Sequence, residues 1–231
     1  MKELNACHLY GNLMNTYGDI GNLLVMDYYC KKMNIKLNYE LISLEDNFDE
    51  KKYDFVLFGG GQDYEQSVIA NDLQTKKEAL TRYIENNGTL LAVCGGYQLL
   101  GQYYIDANGN KIAGVGALSH YTRGQKEGEQ RLIGNVKIKN ETFNEEYIGF
   151  ENHGGRTFLG EDEQPLGTII EGNGNNGEDQ GEGVIYKNTF GTYFHGPILA
   201  RNENLAVRMI NTAMKQRYGD DYKEIPFESL Q

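Results

Sequence analysis

Hydrophobic and polar positions alternate in two different styles along this chain. In the first half, residues 4–10 form an apolar stretch that reads as a strand. A loop rich in Gly and Asn follows, and residues 20–33 then place Leu23, Leu24, Met26, Tyr28 and Cys30 at helical spacing. Residues 35–42 alternate apolar and polar, which predicts a strand. Residues 54–58 form a short apolar strand that stops at Gly59-Gly60-Gly61, and residues 67–86 carry Lys and Glu on one face of a predicted helix. Residues 89–93 are a buried strand, and a second short helix begins after Cys94. Strands alternating with helices predict a parallel sheet covered on both faces, with ligands at the carboxyl ends of its strands. The second half, from residue 111 to 193, breaks into short β runs. Strands are predicted at 132–138, 183–186 and 189–194, and a polar, mobile loop at 172–183. A terminal helix is predicted at 205–218, with a loosely held tail from about residue 219. No repeat or linker composition divides the chain, so one domain is expected.

The stretch Thr89-Leu90-Leu91-Ala92-Val93-Cys94-Gly95-Gly96-Tyr97-Gln98 carries the most chemical information. A strand turns sharply into a helix with Cys94 at the corner. Small neighbours let strand and helix pass close together, and the corner pushes the side chain out of the sheet edge. Free N–H groups at the helix start favour thiolate over thiol, so an activated sulfur nucleophile is predicted. Cys7 and Cys30 fall in a strand and a helix and read as small buried hydrophobes. Three cysteines without paired spacing suggest neither a disulfide framework nor a zinc site.

A thiolate needs a proton acceptor. Among His8, His120, His153 and His195, the last follows the apolar pair Tyr193-Phe194 at a strand end, which makes it the preferred base. His153, in Gly149-Phe150-Glu151-Asn152-His153-Gly154-Gly155-Arg156, lies in a polar, Gly-flanked segment that suits a cleft and is the second choice. His8 reads as a satisfied strand residue, and His120 has no framing pattern. The Gly59–Gly61 loop is either a plain turn or a source of a backbone N–H for an oxyanion, paired with the N–H of Gly95. It lacks the Lys-Ser/Thr of a phosphate-binding loop.

The formal net charge is −11, which argues against nucleic acid as the main partner. Hydrophobic content of 39% suits a globular protein. No apolar run approaches the roughly 20 residues of a membrane span. The start of the chain lacks a charged-then-apolar signal pattern, so a cytoplasmic location is expected, with the inner membrane face reached only through a complex.

Together, the Val-Cys-Gly-Gly-Tyr-Gln-Leu-Leu-Gly segment (93–101), the Gly-Gly-Gly-Gln-Asp loop (59–63) and the late Tyr-Phe-His-Gly-Pro (193–197) resemble class I glutamine amidotransferases of the cobyric acid synthase branch. Residues 15–22, 149–157 and 191–199 resemble the glutaminase subunits of lipid II isoglutaminyl synthases. The likeness runs from about residue 4 to about 200. It implies a flavodoxin-like α/β layered fold with a mostly parallel sheet, Cys94 as nucleophile and His195 as base and acid. It also implies that Arg131 binds the α-carboxylate of L-glutamine, with Gln98 near the substrate and Gly61 and Gly95 at the oxyanion. Many class I enzymes have a Glu two residues after the His; here that position is Pro197. Asp19 is then a candidate for orienting His195, weighed evenly against a helix N-cap. The resemblance further implies no cofactor in this chain. ATP and Mg would sit on a separate Mur-ligase-like synthetase subunit of the MurT type, through which lipid II is reached. The alternatives are a cobyric or cobyrinic acid-type amidotransferase, a DJ-1/PfpI-like cysteine hydrolase, and a binding subunit with a dead site.

Overall fold

A computed structural model describes all 231 residues. Strand β1 (Lys2–Leu9), helix α1 (Ile20–Lys32), β2 (Ile35–Ile42), β3 (Phe55–Phe58), α2 (Asp63–Glu85), β4 (Thr89–Val93) and α3 (Gly95–Leu100) make the first half. Helix α2 starts four residues before the expected position. Gln62 and Glu65 form a capping box there, with the Gln62 N–H donating to Glu65 Oε2 at 3.0 Å, and Asp63 and Glu65 suit the positive helix end. Short strands β5 (Tyr103–Ile105), β6 (Lys111–Ala113) and β7 (Tyr121–Arg123) lead into a long hairpin of β8 (Leu132–Asn140) and β9 (Glu145–His153). Next come β10 (Arg156–Phe158), β11 (Gly167–Glu171), β12 (Gly181–Glu182), β13 (Val184–Tyr186), β14 (Thr189–Thr192), β15 (Phe194–His195), α4 (Ile198–Arg201) and α5 (Glu203–Tyr218).

The central sheet has the order β13-β14-β4-β3-β1-β2. Only the β13–β14 pair is antiparallel. One face of its strands (Leu4, Ala6, Phe55, Leu57, Leu91, Val93) packs on α1 and α5. The other (Cys7, Leu9, Val56, Phe58, Leu90, Ala92) packs beneath α2 and α3. Burial on both faces is why these strands read as near-continuous apolar runs. The chain leaves β1 for β2 on one side and returns to β3 on the other. The loops after β1 and β3 therefore diverge at their carboxyl ends and open a crevice there. A five-stranded sheet (β12-β11-β8-β9-β15) and a four-stranded sheet (β10-β7-β5-β6) close the crevice from the side.

Three expectations need correction. The strand predicted at 189–194 is two strands that bend at Tyr193, with β14 beside β4 and β15 antiparallel to β9 in the other sheet. The buried Glu182 carboxyl makes the bend by accepting the Tyr193 N–H at 2.7 Å and the Thr192 hydroxyl at 3.0 Å. The loop predicted to be mobile at 172–183 is pinned. Asn175 is fully buried, exchanges two 2.9 Å hydrogen bonds with Gly183, and accepts from the Tyr97 hydroxyl. The tail expected to be loose is strapped down. Tyr222 is buried and donates to Asn211 at 2.6 Å, Ile225 bonds Asn211 through its backbone, and Phe227 and Leu230 pack on the core. Polar side chains make these attachments, so hydrophobic spacing does not announce them. No helix is long and apolar enough to cross a membrane.

Candidate active site

Cys94 sits at the corner between β4 and α3 with φ of 46° and ψ of −105°, a conformation that costs a non-glycine residue energy. Gly95 and Gly96 allow the corner. A Cβ on Gly96 would stand 2.4 Å from the Phe58 carbonyl oxygen, and one on Gly95 would stand 2.8 Å from that of Gly61. The turn thus presses against the glycine loop after β3. The Gly96 N–H donates to the Gly59 carbonyl at 3.1 Å and locks the two together.

Cys94, Gly61, Gln98, Arg131, His153 and His195 all line one cleft of about 580 Å³. A methyl placed on Gly60 would lie 3.4 Å from Cys94 Cβ, 3.4 Å from Asp19 Oδ2 and 3.6 Å from His195 Cε1, so thiol, imidazole and carboxyl surround a single glycine. His195 arrives from β15 and stacks at a tilt on Tyr17, with ring centroids 4.5 Å apart. Neither of its buried ring nitrogens has a hydrogen-bond partner. Burial, aided by the positive influence of His153 and Arg131, holds its pKa down at about 4, so the ring is a neutral base.

The Cys94 thiol departs from expectation. Burial and the nearby Asp19 push its pKa up to about 12, against the smaller pull of Arg131 and the Gly95 N–H. The helix start does not win because the sulfur lies at the cleft floor, where desolvation outweighs a single short helix end. The resting pair is therefore thiol and neutral imidazole. Burial also pushes Cys7 and Cys30 up, which agrees with inert packing roles.

Asp19 stands at the expected N-cap position, but its side chain neither caps the helix nor orients His195. Its Oδ2 accepts the Gly60 N–H at 2.6 Å and so braces the glycine loop. The Gly61 N–H has no intramolecular acceptor, while the Gly95 N–H is directed at the Cys94 sulfur. Gly61 lines the cleft beside Cys94.

Arg131 lies at the cleft rim. Its Nε donates to Asn152 Oδ1 at 2.5 Å and its Nη2 to the Asn152 carbonyl at 3.0 Å, which leaves the Nη1 corner for a carboxylate. Asn152 also donates to the Tyr17 hydroxyl at 2.6 Å. Gln98 is buried, with Nε2 on the Tyr193 hydroxyl at 3.1 Å. His153 stacks flat on Tyr193 at 3.6 Å. Its Nδ1 donates to the Gly155 carbonyl at 2.8 Å, and its buried Nε2, 3.5 Å from Glu151, has no hydrogen-bond partner. His120, between Glu163 and the Tyr97 carbonyl, clamps α3 from behind. His8 is buried with Nε2 unpartnered, which corrects its reading as a satisfied residue; its ring fills the space that Gly11 leaves.

The model of the CobB/CobQ-like glutamine amidotransferase domain matches residues 5–203. The chain belongs to this family. Among relatives of this CobB/CobQ-like amidotransferase, subunit GatD of the glutamine-hydrolysing lipid II isoglutaminyl synthase of Streptococcus pneumoniae is 56% identical over 99% of this chain and 87% of its own length. The GatD subunit of Staphylococcus aureus is 39% identical over 99% of this chain and 89% of its own. A solved glutamine amidotransferase superposes with a TM-score of 0.60 at 14% identity, over 90% of this chain and 98% of that one, a likeness of fold. Membership in the CobB/CobQ-like family excludes the DJ-1/PfpI-like hydrolase. For this amidotransferase, sequence reasoning missed Tyr17, Gln66 and Asn152 in the cleft wall. Tyr17 and Asn152 fall inside segments already recognised as distinctive, and that was the available signal. Gln66 gave none, because the helix carrying it was expected to begin one residue later.

Proposed function

We propose that this chain is the glutaminase subunit of a lipid II isoglutaminyl synthase. The observation that carries the reading is the meeting of Cys94 and His195 around Gly60, in a cleft with Arg131 at its rim. The GatD names of relatives that span nearly the whole chain support the choice of acceptor over the cobyric acid type.

In this reading the glutamine α-carboxylate docks on the free corner of Arg131. His195, neutral in the resting site, takes the Cys94 proton as sulfur attacks the side-chain amide carbon. The developing oxyanion is held by the N–H groups of Gly61 and Gly95. The imidazolium returns its proton to the amide nitrogen, the C–N bond breaks and ammonia leaves a glutamyl thioester. His195 then deprotonates water, which cleaves the thioester to glutamate and the free thiol. Ammonia passes to a Mur-ligase-like synthetase that holds ATP and Mg and amidates the D-glutamate α-carboxyl of lipid II.

The test is glutamate release from L-glutamine. Cys94→Ala should abolish it, and the wild-type chain with its co-purified synthetase should convert lipid II to the amidated form. Retained glutamate release in Cys94→Ala overturns the nucleophile. Glutamate release without lipid II amidation overturns the acceptor.

A further inference from the structure

Gln66 is buried in the first turns of α2, 2% exposed, and lines the cleft. Its Nε2 donates to the Gly61 carbonyl at 3.2 Å and to Gln98 Oε1 at 3.0 Å. The orientation of this amide is fixed by chemistry. The Gly61 carbonyl can only accept, so Gln66 turns Nε2 toward it, and Gln98 must then present Oε1 to that nitrogen and Nε2 to the Tyr193 hydroxyl. Both neighbours of the Gln66 nitrogen are then acceptors, and a flipped amide would set oxygen against two oxygens. Both hydrogens are used, and Oε1 is left buried without any donor. A buried acceptor without a donor costs free energy, which the two bonds from Nε2 offset.

The two groups that Gln66 ties together are telling. Gly61 and Gly95 supply the oxyanion N–H groups in the reading above, and Gln98 lies on the same helix as Gly95. A Cβ on Gly95 would fall 2.9 Å from Gln66 Nε2 and 3.0 Å from the Gly61 nitrogen, so the Gln66 amide sits against both donors. The Gly61 N–H lies in the Gly60–Gly61 peptide, whose carbonyl accepts the Thr16 N–H at 2.9 Å, and Gln66 holds the next peptide through the Gly61 carbonyl, so the planes on both sides of the Gly61 Cα are tied. We infer that Gln66 is a positioning residue that sets the oxyanion hole by clamping the Gly61 peptide to α3. This inference rests on the proposed glutaminase reading.

The experiment compares wild type, Gln66→Met and Gln66→Glu, each as the full chain with its co-purified synthetase. Three quantities are read: kcat and KM for glutamate release, the thermal midpoint, and the rate of Cys94 alkylation by iodoacetamide. Alkylation is displacement at a saturated carbon and develops no oxyanion, whereas amide cleavage does. Gln66→Met should lower kcat by roughly 10–100-fold with KM within about threefold, and it should keep its alkylation rate at temperatures well below its midpoint, which the two unpaired acceptors lower. Gln66→Glu replaces both donors by acceptors and should fall further than Gln66→Met. Variants with wild-type kcat overturn the inference. So does a fall in alkylation rate that matches the fall in kcat, or a loss of kcat that the fraction unfolded at the assay temperature accounts for. A wild type that releases no glutamate overturns the glutaminase reading itself.

Discussion

Replacing Asp19 by Asn separates the electrostatics of the site from its geometry. Asp19 is 1% exposed, and burial raises its carboxyl from 3.8 to about 7 against the opposing Gly60 N–H. A folded-state pKa above the unfolded value means that the fold favours the protonated acid. Its contribution to stability is full below pH 3.8 and is lost as pH rises through about 7. The interval corresponds to about 4 kcal/mol at most. Asn keeps an oxygen for the Gly60 N–H and has no charge to desolvate. Denaturant titrations at several pH values should show Asp19→Asn gaining on wild type by a few kcal/mol between about pH 4 and pH 8. The slope against pH is the quantity to read, since the new amide adds a constant offset. The same charge helps to raise Cys94, so iodoacetamide should alkylate Asp19→Asn faster than wild type at pH 8. Parallel pH profiles together with equal alkylation rates would refute the reasoning.

Arg131→Ala should raise the glutamine KM by roughly 10–100-fold with little change in kcat, because its free corner serves docking; an unchanged KM in steady-state assays returns it to a surface role. Gly60→Ala should fold with a wild-type melting temperature, since the new methyl makes contacts of 3.4 Å or more, yet lose at least about 10-fold in glutamate release by crowding Cys94 and His195. Gly95→Ala should abolish release, because its methyl would meet the Gly61 carbonyl oxygen at 2.8 Å. In the Asp19→Asn background, the acid limb of kcat/KM should follow His195 and lie well below pH 6.5. Deleting residues 219–231 should cost about 2–4 kcal/mol by exposing the core beneath Tyr222, Phe227 and Leu230, as read by denaturant midpoint.

The first half of the fold was legible because its strands are apolar on both faces and its helices keep their spacing. The Cys94 corner was legible for the same reason, since two glycines and an apolar run leave few other structures. The second half hid itself. Strand β9 buries Tyr147, Gly149, Glu151 and His153 on one face, so its alternation mixes polar with apolar and masks the period of two. The bend at Tyr193 is set by the Glu182 carboxyl from eleven residues upstream, which no local pattern encodes. In the site, six residues singled out from the sequence share one cleft, while their protonation states were not readable. The resting thiol of Cys94 and the raised carboxyl of Asp19 both follow from desolvation, which depends on what the finished fold packs around them.

The chain crosses from the parallel sheet to the antiparallel one between Thr192 and Phe194, so sulfur and imidazole ride on separate scaffolds. Their separation is a property of the seam rather than of either sheet. Any movement of one sheet against the other changes the distance between sulfur and imidazole.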